Sequence, residues 1–188
     1  MKRAGVVVIA LSLIACSPPA PPAKTEIPPA SETARSGCEA TASRDWSAVG
    51  SQYYVIEAEA HGAICGEAIA TIRIKSTEGE ILYTRDHPTR DVALAFNPNS
   101  DQTGLRTEID AWTQNTSESG RTDELPAWPA GAERPPGFQP AVTRSVYEQA
   151  RGNQGALFCY PDGAESNACV AVAGASATYL GSLTPERP

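Results

Sequence analysis

The chain has 188 residues, of which 16 are Pro, 15 are Gly and only 12 are aromatic (3 Phe, 3 Trp, 6 Tyr). So polar and turn-rich a composition excludes a membrane-embedded transporter. The charge count, 15 Lys plus Arg against 22 Asp plus Glu for a net of −7, argues against non-specific nucleic-acid binding, which needs clustered cations facing phosphates.

Met1, Lys2 and Arg3 make a short cationic start, and Gly5 to Ile14 follow as an apolar run broken only by Ser12. The run is shorter than the roughly 20 residues a spanning helix needs, and has the size of a signal-peptide hydrophobic region. Leu13-Ile14-Ala15-Cys16 comes next. This ending resembles the lipobox of bacterial lipoproteins. The resemblance implies acylation of Cys16, cleavage after Ala15 and attachment to the lipid bilayer through several acyl chains, each buried methylene contributing about 0.8 kcal/mol. It also implies that Ser17, rather than Asp, directs the protein to the outer membrane of the cell envelope, facing the periplasm. Cleavage removes Lys2 and Arg3 and no acid, leaving 13 cations against 22 anions in residues 16–188, a net of −9.

Residues 17–36 hold six Pro (Pro18, Pro19, Pro21, Pro22, Pro28, Pro29) and one large apolar residue, Ile27. That segment has too little to bury to offset its ordering entropy and reads as an extended tether of up to roughly 60 Å. The expected organisation is a leader over 1–15, a lipidated Cys and tether over 16–36, and one domain over 37–188. With Cys16 lipidated, Cys38, Cys65, Cys159 and Cys169 remain, an even number in an oxidising compartment. Three pairings are possible. Proximity favours Cys38 with Cys65 and Cys159 with Cys169, and closing those loops stabilises by roughly 3.6 and 2.8 kcal/mol in the chain-entropy picture.

Within the domain, 53–61 alternates, with Tyr54, Ile56, Ala58 and Ala60 on one face and Tyr53, Val55, Glu57 and Glu59 on the other, as a half-buried strand does. The stretch 67–75 repeats the pattern, with Ala68, Ala70, Ile72 and Ile74 inward. A turn at 76–79 leads into a third strand over 80–85, and 91–96, with Val92, Leu94 and Phe96, reads as a fourth. Leu105, Ile109 and Trp112 then fall at helical spacing within 100–115, with Asn99, Ser100 or Asp101 as cap.

The segment 116–140 loses periodicity and holds five Pro and three Gly. A loop of that length is unusual enough to be a candidate functional element, unless it is a connection pinned by Trp128 against the sheet. A second helix is expected over 142–151, with Val142, Val146 and Ala150 on one side. Stretches 156–160 and 168–173 read as a hairpin stapled by Cys159 and Cys169, and 178–183 as a last strand. This order implies an α+β fold with a mostly antiparallel sheet, two helices and disulfide staples.

No catalytic motif occurs, and with two His, one Met and five Cys no metal or other cofactor is expected. The nearest approach to acid–base chemistry is Asp86-His87-Pro88 with Asp91 close by, where a carboxylate could orient the imidazole of a hydrolase. The alternative is a strand-ending turn. The favoured expectation is a non-catalytic protein-binding module, with Tyr160 and Asp162 held by the stapled hairpin and Trp128 on the long loop as candidate contacts, and with a net −9 chain suited to a basic envelope partner. Inhibition is one version of this, since small lipoproteins that inhibit lysozyme are similar in anchor and size. A structural or assembly subunit of an outer-membrane complex is the second expectation. It calls for an apolar surface patch around Trp128 and Phe138.

Overall fold

Alternation of apolar and charged residues in two neighbouring stretches, 53–62 and 69–76, organises the first half of the fold. In the computed structural model, which describes residues 37–47, 49, 52–114 and 120–184, this half is an antiparallel meander in spatial order β1 (Cys38–Ser47), β2 (Tyr53–Gly62), β3 (Ile69–Ser76) and β4 (Ile81–Pro88). The expected leader, Cys16 and the tether lie outside the described residues. Tyr54, Ile56, Ala58 and Ala60 are buried, as are Ala70, Ile72 and Ile74 opposite them. On the other face Arg73 pairs with Glu57 and Glu59 at 3.2 and 2.6 Å, and Lys75 with Glu57 at 2.8 Å.

Three further strands follow the second helix. Here β7 (Ala156–Pro161), β8 (Asn167–Ala173) and β9 (Ser176–Leu183) form the centre of a second antiparallel sheet, flanked by the short edges β5 (Gly120–Arg121) and β6 (Phe138–Pro140) in the order β5-β7-β8-β9-β6. All six residues of β7 are buried. A continuous apolar run of this kind belongs to a strand covered on both faces. Ala156, Phe158 and Tyr160 face the first sheet, while Leu157 and Cys159 face a second, smaller core with Leu125, Phe138, Tyr147 and Leu180.

Helix α1 (Gln102–Gln114) buries Leu105, Ile109 and Trp112 into the first core. Asp101 caps it by accepting from the backbone N–H groups of Thr103 and Gly104 at 3.0 and 2.8 Å. Helix α2 (Arg144–Gly152) covers the outer face of the second sheet through Tyr147. The α+β architecture with two helices among the described residues is thus as expected. So are both disulfides: Cys38–Cys65 ties the start of β1 to the turn before β3, and Cys159–Cys169 joins directly opposed residues of β7 and β8.

Two local expectations are corrected, and β1 is a strand that no expectation covered. The stretch 91–96 is not a strand: 89–91 is a single 3-10 turn, and Ala95 and Phe96 both donate to the carbonyl of Val92. Val92 and Phe96 are buried while Leu94 is 51% exposed, the signature of a helical turn rather than of a strand, on which all three would share a face. In α2 the inward residue is Tyr147, and Val146 is exposed. Finally β1 carries no strong alternation of its own, only Ala40 and Trp46 being buried along its ten residues. Its pairing with β2 supplies what its sequence does not advertise.

Candidate functional site

The Asp86, His87, Asp91 constellation does not assemble. On β4, Asp86 and His87 point to opposite faces. The Asp86 carboxylate is on the exposed side and accepts from Thr71 Oγ1 at 2.7 Å, while Asp91 pairs with Arg90 at 3.7 Å. His87 is buried, its Nε2 lies 3.3 Å from Tyr160 Oη, and its ring meets those of Trp112 and Tyr160 edge-on. Burial and then the nearby Arg85 hold its pKa below the ordinary histidine value, outweighing the opposite pull of Asp162 and Asp86. This is a packed, neutral imidazole, and the arrangement offers no carboxylate-oriented base.

A pH dependence follows from it. In the unfolded chain the ring titrates near an ordinary value of about 6.5. The folded state binds its proton more weakly, so its contribution to stability is present above that pH and is lost as pH falls towards the folded pKa, at no more than about 1.4 kcal/mol per pH unit. Urea unfolding at pH 7.5 and 5.5 is expected to show a larger loss for the wild type than for His87→Asn. Equal losses would contradict this.

Of the three expected contact residues, Tyr160 is corrected outright. It is fully buried because it sits on the core-facing side of β7, where its hydroxyl shares a 2.8 Å hydrogen bond with Tyr83. Asp162 is half-buried and committed to its own loop and to β9, accepting from Ser166 Oγ at 2.7 Å and Ser182 Oγ at 2.6 Å. Trp128 is half-buried as well. Its indole lies edge-on to Tyr147 at 5.6 Å and its N–H donates to Ala132 at 2.9 Å, so it pins the long loop against α2 rather than against the sheet. With Phe138 1% exposed, the apolar surface patch expected at Trp128 and Phe138 is absent.

What holds the long loop was invisible in sequence. One face of α2 presents Arg144, Tyr147 and Arg151, and these donate to the carbonyls of Trp128, Pro126 and Leu125 at 2.9, 2.8 and 2.9 Å. Proline-rich backbone has few N–H donors and many carbonyl acceptors, which makes it suited to such a rack of side-chain donors. At the far end Thr184 N–H donates to Gly137 at 2.8 Å, and β6 pairs with β9. Residues 125–140 are therefore an ordered strap.

The strap and the hairpin loop after β7 face one another across an open groove of about 1030 Å³. Pro129, Arg134, Pro135 and Pro136 form the strap wall and Ala164, Glu165 and Ser166 the hairpin wall, with Phe138 at the base. Arg134 is exposed and donates to Gln139 at 2.6 Å. The two segments singled out in the sequence thus meet, but through residues adjacent to those expected. The groove combines apolar walls with charges of both signs, offers no nucleophile–base pair, and is large enough for several side chains of an extended peptide. Among the described residues no cluster of His, Cys, Asp and Glu is placed to hold a metal ion, and no helix is long and apolar enough to cross a membrane. No protein family, no curated protein and no solved structure matches the chain.

Proposed function

We propose that this chain is a lipid-anchored protein of the bacterial envelope whose domain is a non-catalytic protein-binding module, engaging an extended segment of its partner in the groove between strap and hairpin loop. The observation that carries the reading is the construction of that groove. Two loops are each fastened at several points, the strap by Leu125 and Phe138 in the second core and by the side chains of α2, and the hairpin loop by Asp162 and the Cys159–Cys169 bridge. Walls fixed before binding reduce the ordering cost of association. The lipobox-like Cys16 and the tether support placement at the outer membrane facing the periplasm, and an excess of acid over base favours a basic partner. Inhibition of an envelope or incoming enzyme is one form such binding takes.

Capture from an envelope extract tests the reading, with the full-length chain as bait and Ala164→Trp as control. Ala164 is exposed, so the added indole fills the groove without disturbing a core. A stoichiometric partner bound by the wild type and lost by the variant is the expected result. A partner held equally by both would place binding elsewhere.

A further inference from the structure

A second site lies away from the groove, on the seam between β4 and β9. The register of β4 sets Tyr83, Arg85 and His87 opposite Ile74, Ile72 and Ala70, positions that face the second sheet, with Thr84 and Asp86 on the outer side. An arginine thus occupies a core-facing position. Its guanidinium carbon stands 4.4 Å from the centroid of the Tyr179 ring and the group interacts with the Tyr179 and Tyr83 hydroxyls, yet its Nη1 is buried without a hydrogen-bond partner.

The contrast with the other cations is what gives this weight. Among the described residues, every other half-buried Lys or Arg is paired with a carboxylate: Arg73 and Lys75 with the glutamates of β2, Arg121 with Asp123, and Arg151 with Glu148. Arg85 has no such ion pair. Desolvating a cation carries a penalty that one aromatic ring and two phenol hydroxyls, with Nη1 left unpartnered, only partly offset. Tyr83 and Tyr160 supply no counter-charge, because burial raises the pKa of both. Asp162 is committed to Ser166 and Ser182, and Ser182 in turn bonds Tyr179 Oη at 2.9 Å.

The geometry points to Arg85 as the anchor of a carboxylate-binding site, with the half-buried rings of Tyr83 and Tyr179 as walls and a small organic acid with an apolar or aromatic body as ligand. A planar guanidinium with a free donor matches a planar carboxylate. One positive charge, with Asp162 linked to the same tyrosine through Ser182, suits a monoanion better than a phosphate dianion. Arg85, Tyr83 and Tyr179 are each partly exposed, so a carboxylate reaches the guanidinium from solvent and the covered Nη1 by a shift of the flanking rings.

Benzoate titrated into the full-length oxidised protein, with tyrosine rings labelled for NMR, is the test. Saturable binding that moves the Tyr83 and Tyr179 resonances is expected. Benzamide, which has the shape without the charge, should bind at least about tenfold more weakly, as should benzoate to Arg85→Gln. The comparison of benzoate with benzamide on the wild type stands even if that variant fails to fold. The site is refuted if benzoate does not saturate, if benzamide or inorganic phosphate binds as well, if a folded Arg85→Gln binds benzoate unchanged, or if the shifts fall away from β4 and β9.

Discussion

Tyr160→Ala is expected to destabilise the domain by about 3–5 kcal/mol, the range for deleting a large aromatic from a core. The ring is fully buried between the sheets and touches Tyr83, His87, Trp112 and Phe158, with centroid separations of 6.4, 5.7, 5.7 and 5.8 Å. Truncation would leave a cavity in the middle of the first core and two polar partners, the Tyr83 hydroxyl and His87 Nε2, without their acceptor or donor. Tyr160→Phe keeps the ring and removes only the hydroxyl, so it should lose about 1–3 kcal/mol, the cost of the orphaned buried groups. Urea unfolding of both variants at neutral pH measures the two effects. A loss below about 1 kcal/mol for the alanine variant would mean that the ring is not packed as described. A practical corollary is that Tyr160→Ala is unsuitable as a binding control, because loss of a partner would report on folding.

Gly181→Ala is the second substitution with a large expected effect. Gly181 adopts φ +139°, and a Cβ there would stand 2.1 Å from the Gln139 carbonyl oxygen and 2.8 Å from Pro140 Cα. Those are backbone atoms of β6, paired to β9 through Pro140 and Gly181 themselves, so the clash is relieved only by displacing the strand. The residue also sits at the register shift where β8 pairing passes from Cys169–Gly181 to Val170–Tyr179. Across this irregularity Leu180 and Leu183, three residues apart, both pack in the second core, where regular alternation would put them on opposite faces. The backbone conformation alone accounts for about 1–3 kcal/mol, and the loss of β6 pairing adds to it. Because β6 leads directly from the groove base at Phe138, amide exchange should accelerate selectively at 137–139 and in β9, with β1 to β4 still protected. Uniform acceleration across both sheets, or none, would contradict this account of how the groove wall is held.

How far the sequence could be read depended on whether a residue's fate was decided locally. Strands β2 and β3 were legible because their period-2 pattern is strong, and Glu57, Glu59, Arg73 and Lys75 pair across them as the alternation implies. Helix α1 was legible from Leu105, Ile109 and Trp112, and the disulfides from proximity. Strand β1 was not, because Ala40 and Trp46 are too sparse a signal. The fate of Tyr160 was in principle readable: 156–160 is apolar without interruption, which marks a strand buried on both faces and leaves no residue free for a partner. The groove lies beyond local patterns. It depends on Arg144, Tyr147 and Arg151 meeting the carbonyls of a segment far away in the chain, and on β6 crossing to the edge of β9. Arg85 likewise carries no local signal, because its setting depends on Tyr179, far away in the chain.

The most direct measurement of the central claim is photocrosslinking in intact cells, with a photoreactive residue placed singly at Ala164 or Ala132 in the groove, or at Thr84 on the outer face of the first sheet. The groove positions are predicted to capture one and the same protein while Thr84 captures none. Crosslinks from Thr84 with none from Ala164 or Ala132 would contradict the assignment of the groove as the binding site.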